Sequence, residues 1–107
     1  MKANYLPSLV LLAASVVPVS SFAAGDAAAG KTKAFTCMGC HGIPSYNNVY
    51  PTYHVPKLGG QHADYIVAAL QEYKSGQRNH ATMRAQATTL SDQDMQDIAA
   101  FFEQGGN

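Results

Sequence analysis

The most informative motif in this chain of 107 residues is Cys37-Met38-Gly39-Cys40-His41. Two cysteines separated by two residues lie on one helical turn, from which both thiols can reach the two vinyl groups of one porphyrin. The imidazole of His41 then lies within reach of the iron, and Gly39 lets the ring approach the backbone. The motif therefore predicts one covalently bound c-type haem, attached at Cys37 and Cys40, with His41 as an axial iron ligand.

Two other kinds of site use a Cys-x-x-Cys pair. A thioredoxin-type redox pair stands at the start of a helix that follows a strand, and no strand pattern precedes Cys37. A structural zinc site needs further ligands, and because the chain has only two cysteines, histidines would have to complete it. The candidates for that role are His54, His62 and His80. The haem site is favoured over both, because the chain has only these two cysteines, begins with an export signal described below, and lacks a self-sufficient apolar core.

The opposite face of the haem iron requires a second ligand. Met83 lies in an irregular segment between two predicted helices, from which a flexible thioether can approach the iron. Met95 lies beside the apolar stripe of the last predicted helix, where it is expected to fill the core. We therefore predict Met83 as the second axial ligand, with His80 as the alternative. His54 and His62 are expected to be exposed polar residues, with His62 at the entry to a helix.

The first 23 residues have the organisation of a secretory signal peptide. Lys2 precedes an apolar run over residues 8–17, which is too short to span a bilayer and is followed by Pro18. Small residues at positions 21 and 23 fit the pattern that signal peptidase recognises. We predict cleavage after Ala23 and export to the bacterial periplasm, with no stable membrane insertion afterwards. An uncleaved N-terminal anchor is the alternative.

The composition of residues 24–107 describes a chain that cannot fill a core by itself. Only twelve of these 84 residues are Val, Ile, Leu or Phe, and six Lys or Arg balance seven Asp or Glu. A domain of this size needs a further source of stability, such as a cofactor or a metal. The length excludes a multidomain protein, and the balanced charge argues against nucleic acid as the main partner.

Helix signals predict an all-α domain of three helices joined by two long loops. Asp26 is the expected N-cap of the first helix, which leads directly into the cysteines. The second helix covers residues 63–75 and ends at Gly76. The third begins with Ser91 as N-cap, in the manner of a capping box, and runs to about residue 104. The intervening residues, 42–60 and 77–90, are expected to be irregular.

Three segments of the chain resemble class I c-type cytochromes. They read AGDAAAGKTKAFTCMGCHG from residue 24, VPKLGGQHADYIVAALQEYKSGQR from residue 55 and LSDQDMQDIAAFF from residue 90. More narrowly, they are similar to bacterial mono-haem proteins that look like one half of the di-haem periplasmic cytochromes c. The resemblance covers essentially all of residues 24–107. In that family the ligand methionine lies eight residues before the serine that opens the last helix, as Met83 lies eight before Ser91.

The resemblance implies a class I cytochrome c fold, with three main helices and long loops wrapped around one covalently bound haem. It also implies that the first and last helices cross at Gly30, against Phe101 or Phe102. Pro56 would then belong to the haem wall on the side of His41. The chain departs from the pattern in a longer loop over residues 42–55, which holds three tyrosines, and Tyr53 is our candidate for a second wall residue.

The function that the resemblance implies is single-electron transfer between redox proteins, without enzymatic activity. The electron donor and acceptor are not identified by the sequence. One alternative is an electron-accepting, haem-bearing subunit of a larger dehydrogenase complex. The other is a haem protein with an open sixth coordination site, acting as a sensor or a peroxidase, which requires that Met83 does not bind iron.

Overall fold

The computed structural model describes residues 24–107, and the predicted signal peptide lies outside the described residues. The described chain contains five helices and one pair of short strands, in the order α1 (Ala27–Lys33), α2 (Phe35–His41), β1 (Asn47–Asn48), β2 (Tyr53–His54), α3 (Ala63–Ser75), α4 (Ala81–Thr88) and α5 (Asp92–Glu103). Within these residues no helix combines the length and the apolar character that crossing a bilayer requires. The prediction of a helical domain is confirmed.

The helix ends that the sequence predicted are the ones with local hydrogen-bonding partners. The Asp26 carboxylate accepts bonds from the N–H groups of residues 28 and 29 at the start of α1. Ser91 and Asp94 form the reciprocal capping box at the start of α5. Gly76 ends α3 with a φ of 85°, a left-handed conformation that favours glycine. These three boundaries are therefore encoded within one turn of each helix end.

The core lies where α5 packs against α1 and α3. Met95, Ile98 and Phe102 of α5 are the largest fully buried side chains, so the prediction that Met95 fills the core is confirmed. Gly30 of α1 lies directly against the carbonyl group of Asp97, and a Cβ added there would also lie 3.0 Å from the Cβ of Phe101. The crossing of the first and last helices at Gly30 is thus observed, with Phe101 as the aromatic neighbour.

A buried carboxylate fastens the start of α1 to α5. Asp97 is only 3 % exposed, and it accepts hydrogen bonds from the Asp26 N–H at 2.8 Å, the Gln93 side chain at 2.8 Å and the Lys33 ammonium at 2.6 Å. Lys33 also pairs with Asp94 at 2.8 Å. The hydrogen bond from Lys33 lowers the pKa of Asp94 to about 2 and lowers the pKa of Asp97 as well. Both carboxylates are therefore ionised in the folded chain at neutral pH.

Two details of the predicted helices are wrong. The first helix is interrupted at Ala34, which separates α1 from α2 and is itself fully buried. The segment 77–90, predicted to be irregular, contains α4. This helix was missed because its N-cap is His80, whose imidazole accepts the bond usually accepted by Ser, Thr, Asp or Asn, and because only Ala87 is buried along it.

The loop 42–60 is also more regular than predicted. Its strands β1 and β2 pair antiparallel, with Asn47 opposite His54 and Asn48 opposite Tyr53. Side chains hold the intervening turn, since Asn48 donates to the carbonyl of Pro51 and Thr52 donates to that of Val49. Two-residue strands are too short to produce an alternating apolar pattern, so the sequence contained no strand signal.

Candidate functional site

All six residues that the sequence analysis placed at the haem site line one cavity of about 350 Å³. They come from three parts of the chain, and they are Cys37, Cys40 and His41 of α2, Tyr53 and Pro56 of the segment around β2, and Met83 of α4. Residues 37 and 83 are far apart in sequence, so only the fold brings them together. The cavity is thus the place where the chemistry-bearing side chains of the described chain meet.

Apolar side chains of the core form a large part of the cavity wall. They come from α3, α5 and the loops beside them, and they are Leu58, Ile66, Leu70, Leu90, Ile98 and Phe102. Several of these side chains also belong to the core cluster, so the core and the cavity wall are continuous. A flat apolar ring fits this space, because the twelve Val, Ile, Leu and Phe residues of positions 24–107 are too few to fill a core by themselves. The donor set and the wall therefore both fit a haem.

The imidazole of His41 is oriented by a backbone carbonyl. Its Nδ1 lies 2.7 Å from the carbonyl oxygen of Pro56. A carbonyl oxygen only accepts, so Nδ1 carries the proton and donates, which leaves the lone pair of Nε2 available to a metal. Hydrogen bonds of this kind fix the tautomer and the ring orientation of a metal-ligating histidine. Pro56 therefore lines the cavity and also orients the His41 ring through its carbonyl.

The two cysteines are unpaired and partly buried. Burial raises the pKa of the Cys37 thiol. A thioredoxin-type nucleophile needs the opposite, a lowered pKa at the start of a helix that follows a strand, whereas α2 follows α1. For the zinc alternative, no group of three or more His, Cys, Asp or Glu side chains within residues 24–107 is arranged to hold a metal ion.

Met83 lies in the first turn of α4, and its backbone is held by the neighbouring histidine. The Met83 N–H donates to Nδ1 of His80 at 3.3 Å, which makes His80 the N-cap of the helix. His54 also lines the cavity, and its Nδ1 lies 3.0 Å from Asn47 Oδ1. His62 occupies the N-cap position of α3 without a side-chain capping bond, at the helix entry where it was predicted.

The three tyrosines of the loop 42–55 have different surroundings. Tyr53 lines the cavity, and its hydroxyl donates to Thr82 Oγ1 at 3.3 Å. Tyr50 is 95 % exposed at the tip of the β1–β2 hairpin, and Tyr46 is not among the residues that line the cavity. A wall position is therefore observed for Tyr53 alone of the three.

A polar group, Arg78, lies on the α3 side of the cavity, and the sequence offered this residue only as one of three guesses, with Lys57 and Arg84, for a haem propionate partner. The guanidinium of Arg78 lies 5.0 Å from the centre of the Tyr73 ring and 3.4 Å from the Tyr65 hydroxyl, and all three residues line the cavity. Tyr65 and Tyr73 are eight residues apart on α3, a spacing that places both on one face of a helix. That spacing was the available signal, but it did not predict that Arg78 folds back over this face.

Comparison with known proteins identifies one family model and several cytochromes that are similar to this chain. The family model described as "Cytochrome c" matches residues 27–105. The chain is 45% identical over 80 residues to cytochrome c4 of Pseudomonas aeruginosa, a match that covers 75% of this chain and 38% of that protein. It is also 45% identical over 82 residues to cytochrome c-554(548) of Halomonas halodenitrificans, which covers 74% of this chain and 95% of that protein.

Among solved structures, the crystal structure of reduced recombinant cytochrome c4 from Pseudomonas stutzeri is similar to this fold. The TM-score is 0.62 and the sequence identity 38%, over 77% of this chain and 46% of that one. The chain thus spans less than half the length of these cytochrome c4 relatives and nearly all of cytochrome c-554(548).

Proposed function

The chain belongs to the cytochrome c family and carries one c-type haem, and we propose that it is a single-electron carrier of the bacterial periplasm. In this proposal Cys37 and Cys40 form the thioether bonds, while His41 and Met83 are the two axial ligands of the iron. The observation that supports it is the cavity that all four side chains line. When bound, the haem supplies an iron that takes up and gives back one electron.

The two proposed ligands keep structural change small during electron transfer. His41 is held by the Pro56 carbonyl, and Met83 is held within the first turn of α4. Because His41 and Met83 would both hold the iron in either oxidation state, little of the chain would have to rearrange when an electron is transferred. With both residues bound, oxygen and peroxide would find no open position, so the chain would perform no bond-making chemistry.

The chain also raises the reduction potential through its ligand and its wall. A neutral, soft thioether from Met83 favours the ferrous state relative to a second imidazole. The apolar side chains that line the cavity lower the local dielectric constant, which disfavours the extra positive charge of the ferric state. The role of the folded chain is therefore to set the potential and to present the cofactor to partners.

Redox proteins are the proposed partners, and electrostatic attraction should contribute little to their encounter. The whole chain has seven Lys or Arg against seven Asp or Glu. A surface with so little net charge steers a partner weakly, so the rate of electron exchange should depend only modestly on ionic strength. The proposed periplasmic location rests on the signal peptide predicted over residues 1–23, with residues 24–107 as the cytochrome domain.

A visible absorption spectrum of the exported protein tests attachment and ligation together. Covalent attachment at Cys37 and Cys40 predicts that the haem stays with the chain after denaturation and acid-acetone extraction. Ligation by Met83 predicts a sulfur-to-iron charge-transfer band in the far red for the oxidised protein.

Three outcomes would contradict parts of this proposal. Extraction of the haem would exclude thioether attachment. Absence of the far-red band, together with tight carbon monoxide binding by the reduced protein, would indicate the open-site sensor or peroxidase instead of a carrier. Stoichiometric co-purification of a dehydrogenase chain would indicate an electron-accepting subunit of a larger complex.

A further inference from the structure

His80 contacts both the backbone that carries Met83 and two aromatic rings from other elements. Its Nδ1 accepts the Met83 N–H at 3.3 Å, which closes the first turn of α4. The ring of Tyr53 meets it edge-on at a centroid distance of 4.6 Å and an angle of 78°, and the ring of Tyr73 does so at 6.2 Å and 79°. The imidazole thus contacts an aromatic ring of the hairpin and one of α3.

The same elements fix α4 at a second point. The Tyr53 hydroxyl donates to Thr82 Oγ1 at 3.3 Å, one residue before Met83. Arg78 lies over the Tyr73 ring at 5.0 Å and so supports the other aromatic neighbour of His80. The helix itself contributes little rigidity, because it has eight residues and buries only Ala87. The position of the Met83 side chain in the cavity therefore depends on contacts outside α4.

We propose that His80 is a positioning residue for the iron ligand, which by capping α4 between Tyr53 and Tyr73 fixes where the sulfur of Met83 lies. This inference rests on the proposed function, because it presupposes that Met83 ligates the iron. It gives His80 a role other than the bis-histidine ligation that the sequence left open. Nδ1 must keep its lone pair for the Met83 N–H, so the neutral imidazole protonated on Nε2 is the form that caps the helix.

The test measures how easily an external ligand displaces Met83. Imidazole is titrated into the oxidised holoprotein, and loss of the far-red charge-transfer band reports displacement. His80→Ala removes the cap, and we expect the apparent association constant for imidazole to rise roughly fivefold. His80→Asn keeps a side-chain oxygen at the N-cap position and should restore the wild-type constant to within about twofold.

His62→Ala is the matched control. His62 also occupies the N-cap position of a helix, but it makes no side-chain capping bond and is not among the residues lining the cavity. We expect the imidazole constant and the far-red band of this variant to match the wild type. Tyr53→Leu is a second probe that leaves the His80 cap in place. It removes one ring beside His80 and the hydrogen bond to Thr82, and it should raise the constant by roughly two- to fivefold, so the proposal stays testable even where His80→Ala does not fold.

The outcomes separate this inference from the proposed function. If the wild type shows the far-red band and the imidazole constant is unchanged in both His80→Ala and Tyr53→Leu, the positioning role is overturned and Met83 ligation stands. Absence of the band in the wild type would overturn Met83 ligation itself. Absence of the band in the wild type combined with a change from low to high spin in His80→Ala would identify His80 as the ligand. If the wild type shows the band, a raised imidazole constant in His80→Ala that returns to the wild-type value in His80→Asn supports the inference.

Discussion

Replacing Gly30 by alanine should destabilise the fold by forcing apart its first and last helices. A Cβ at this position would overlap the backbone carbonyl of Asp97 on α5, and it would lie 3.0 Å from the Cβ of Phe101. The obstructing carbonyl belongs to a helix and cannot rotate away as a flexible side chain would. Relief therefore requires α1 to move, which also strains the bonds that Asp97 accepts from Asp26 and Lys33.

The expected size follows from two opposing effects of the Gly30→Ala substitution. Inserting a methyl group into a packed crossing typically costs about 1–3 kcal/mol, and an obstruction by backbone favours the upper end, about 3 kcal/mol. Alanine is better than glycine in a helix interior by about 1 kcal/mol. The net destabilisation is then about 2 kcal/mol. For a domain of this size, that corresponds to a decrease in melting temperature of roughly 8–16 °C.

Thermal unfolding of the oxidised holoprotein, followed by far-ultraviolet circular dichroism, measures this decrease. Ala28→Ser is the control, because it changes an exposed residue of the same helix and should alter stability by no more than about 0.5 kcal/mol. A melting temperature for Gly30→Ala within about 2 °C of wild type would refute the reasoning. It would mean that α1 can move away from α5 without loss of packing.

Three further perturbations test the ligand, the polar contact between α1 and α5, and the role of the cofactor in folding. Met83→His should keep a low-spin, six-coordinate haem and lower the midpoint potential in a redox titration; an unchanged potential would show that Met83 is not a ligand. Because the folded pKa of Asp94 is depressed to about 2 from 3.8, its contribution to stability is complete above about pH 4 and is lost as the pH falls towards 2. In urea unfolding, the Lys33→Met variant should therefore be less stable than wild type at neutral pH, with a difference that shrinks over that interval; parallel pH profiles would contradict the ion pair. Expressed without haem attachment, the chain should be largely unfolded by circular dichroism, and a cooperative thermal transition of the haem-free chain would contradict this.

The features that the sequence predicted correctly have local causes. Asp26, Ser91 and Gly76 act within one turn of their helices, so their residue types alone identify the boundaries. The prediction of the haem site came from the Cys-x-x-Cys-His motif and, through the family resemblance, from the spacing between Met83 and Ser91. Neither requires knowledge of the packing, and both lead to residues that line the same cavity.

The features that the sequence missed depend on contacts between distant parts of the chain. The helix α4 buries only Ala87, so its sequence lacks the apolar stripe that identified α3 and α5. Its histidine cap is recognisable only once the hairpin and α3 enclose His80. The position of Arg78 over Tyr73 likewise follows from the turn after α3, which brings the chain back over that helix. Local patterns contain no record of such contacts.

Residues can be inserted at the tip of the β1–β2 hairpin with only a small loss of stability. Its turn is held by bonds among its own residues, and Val49 and Tyr50 at its tip are 84 % and 95 % exposed. Inserting residues there adds only the slowly growing entropy of a longer loop, about 0.6 kcal/mol per doubling. The same insertion between Gly59 and Gly60 would separate a segment that lies against Gly105 and bonds to the Phe102 carbonyl. Divergent relatives should therefore differ in length at the hairpin and keep the Gly-Gly pair in register.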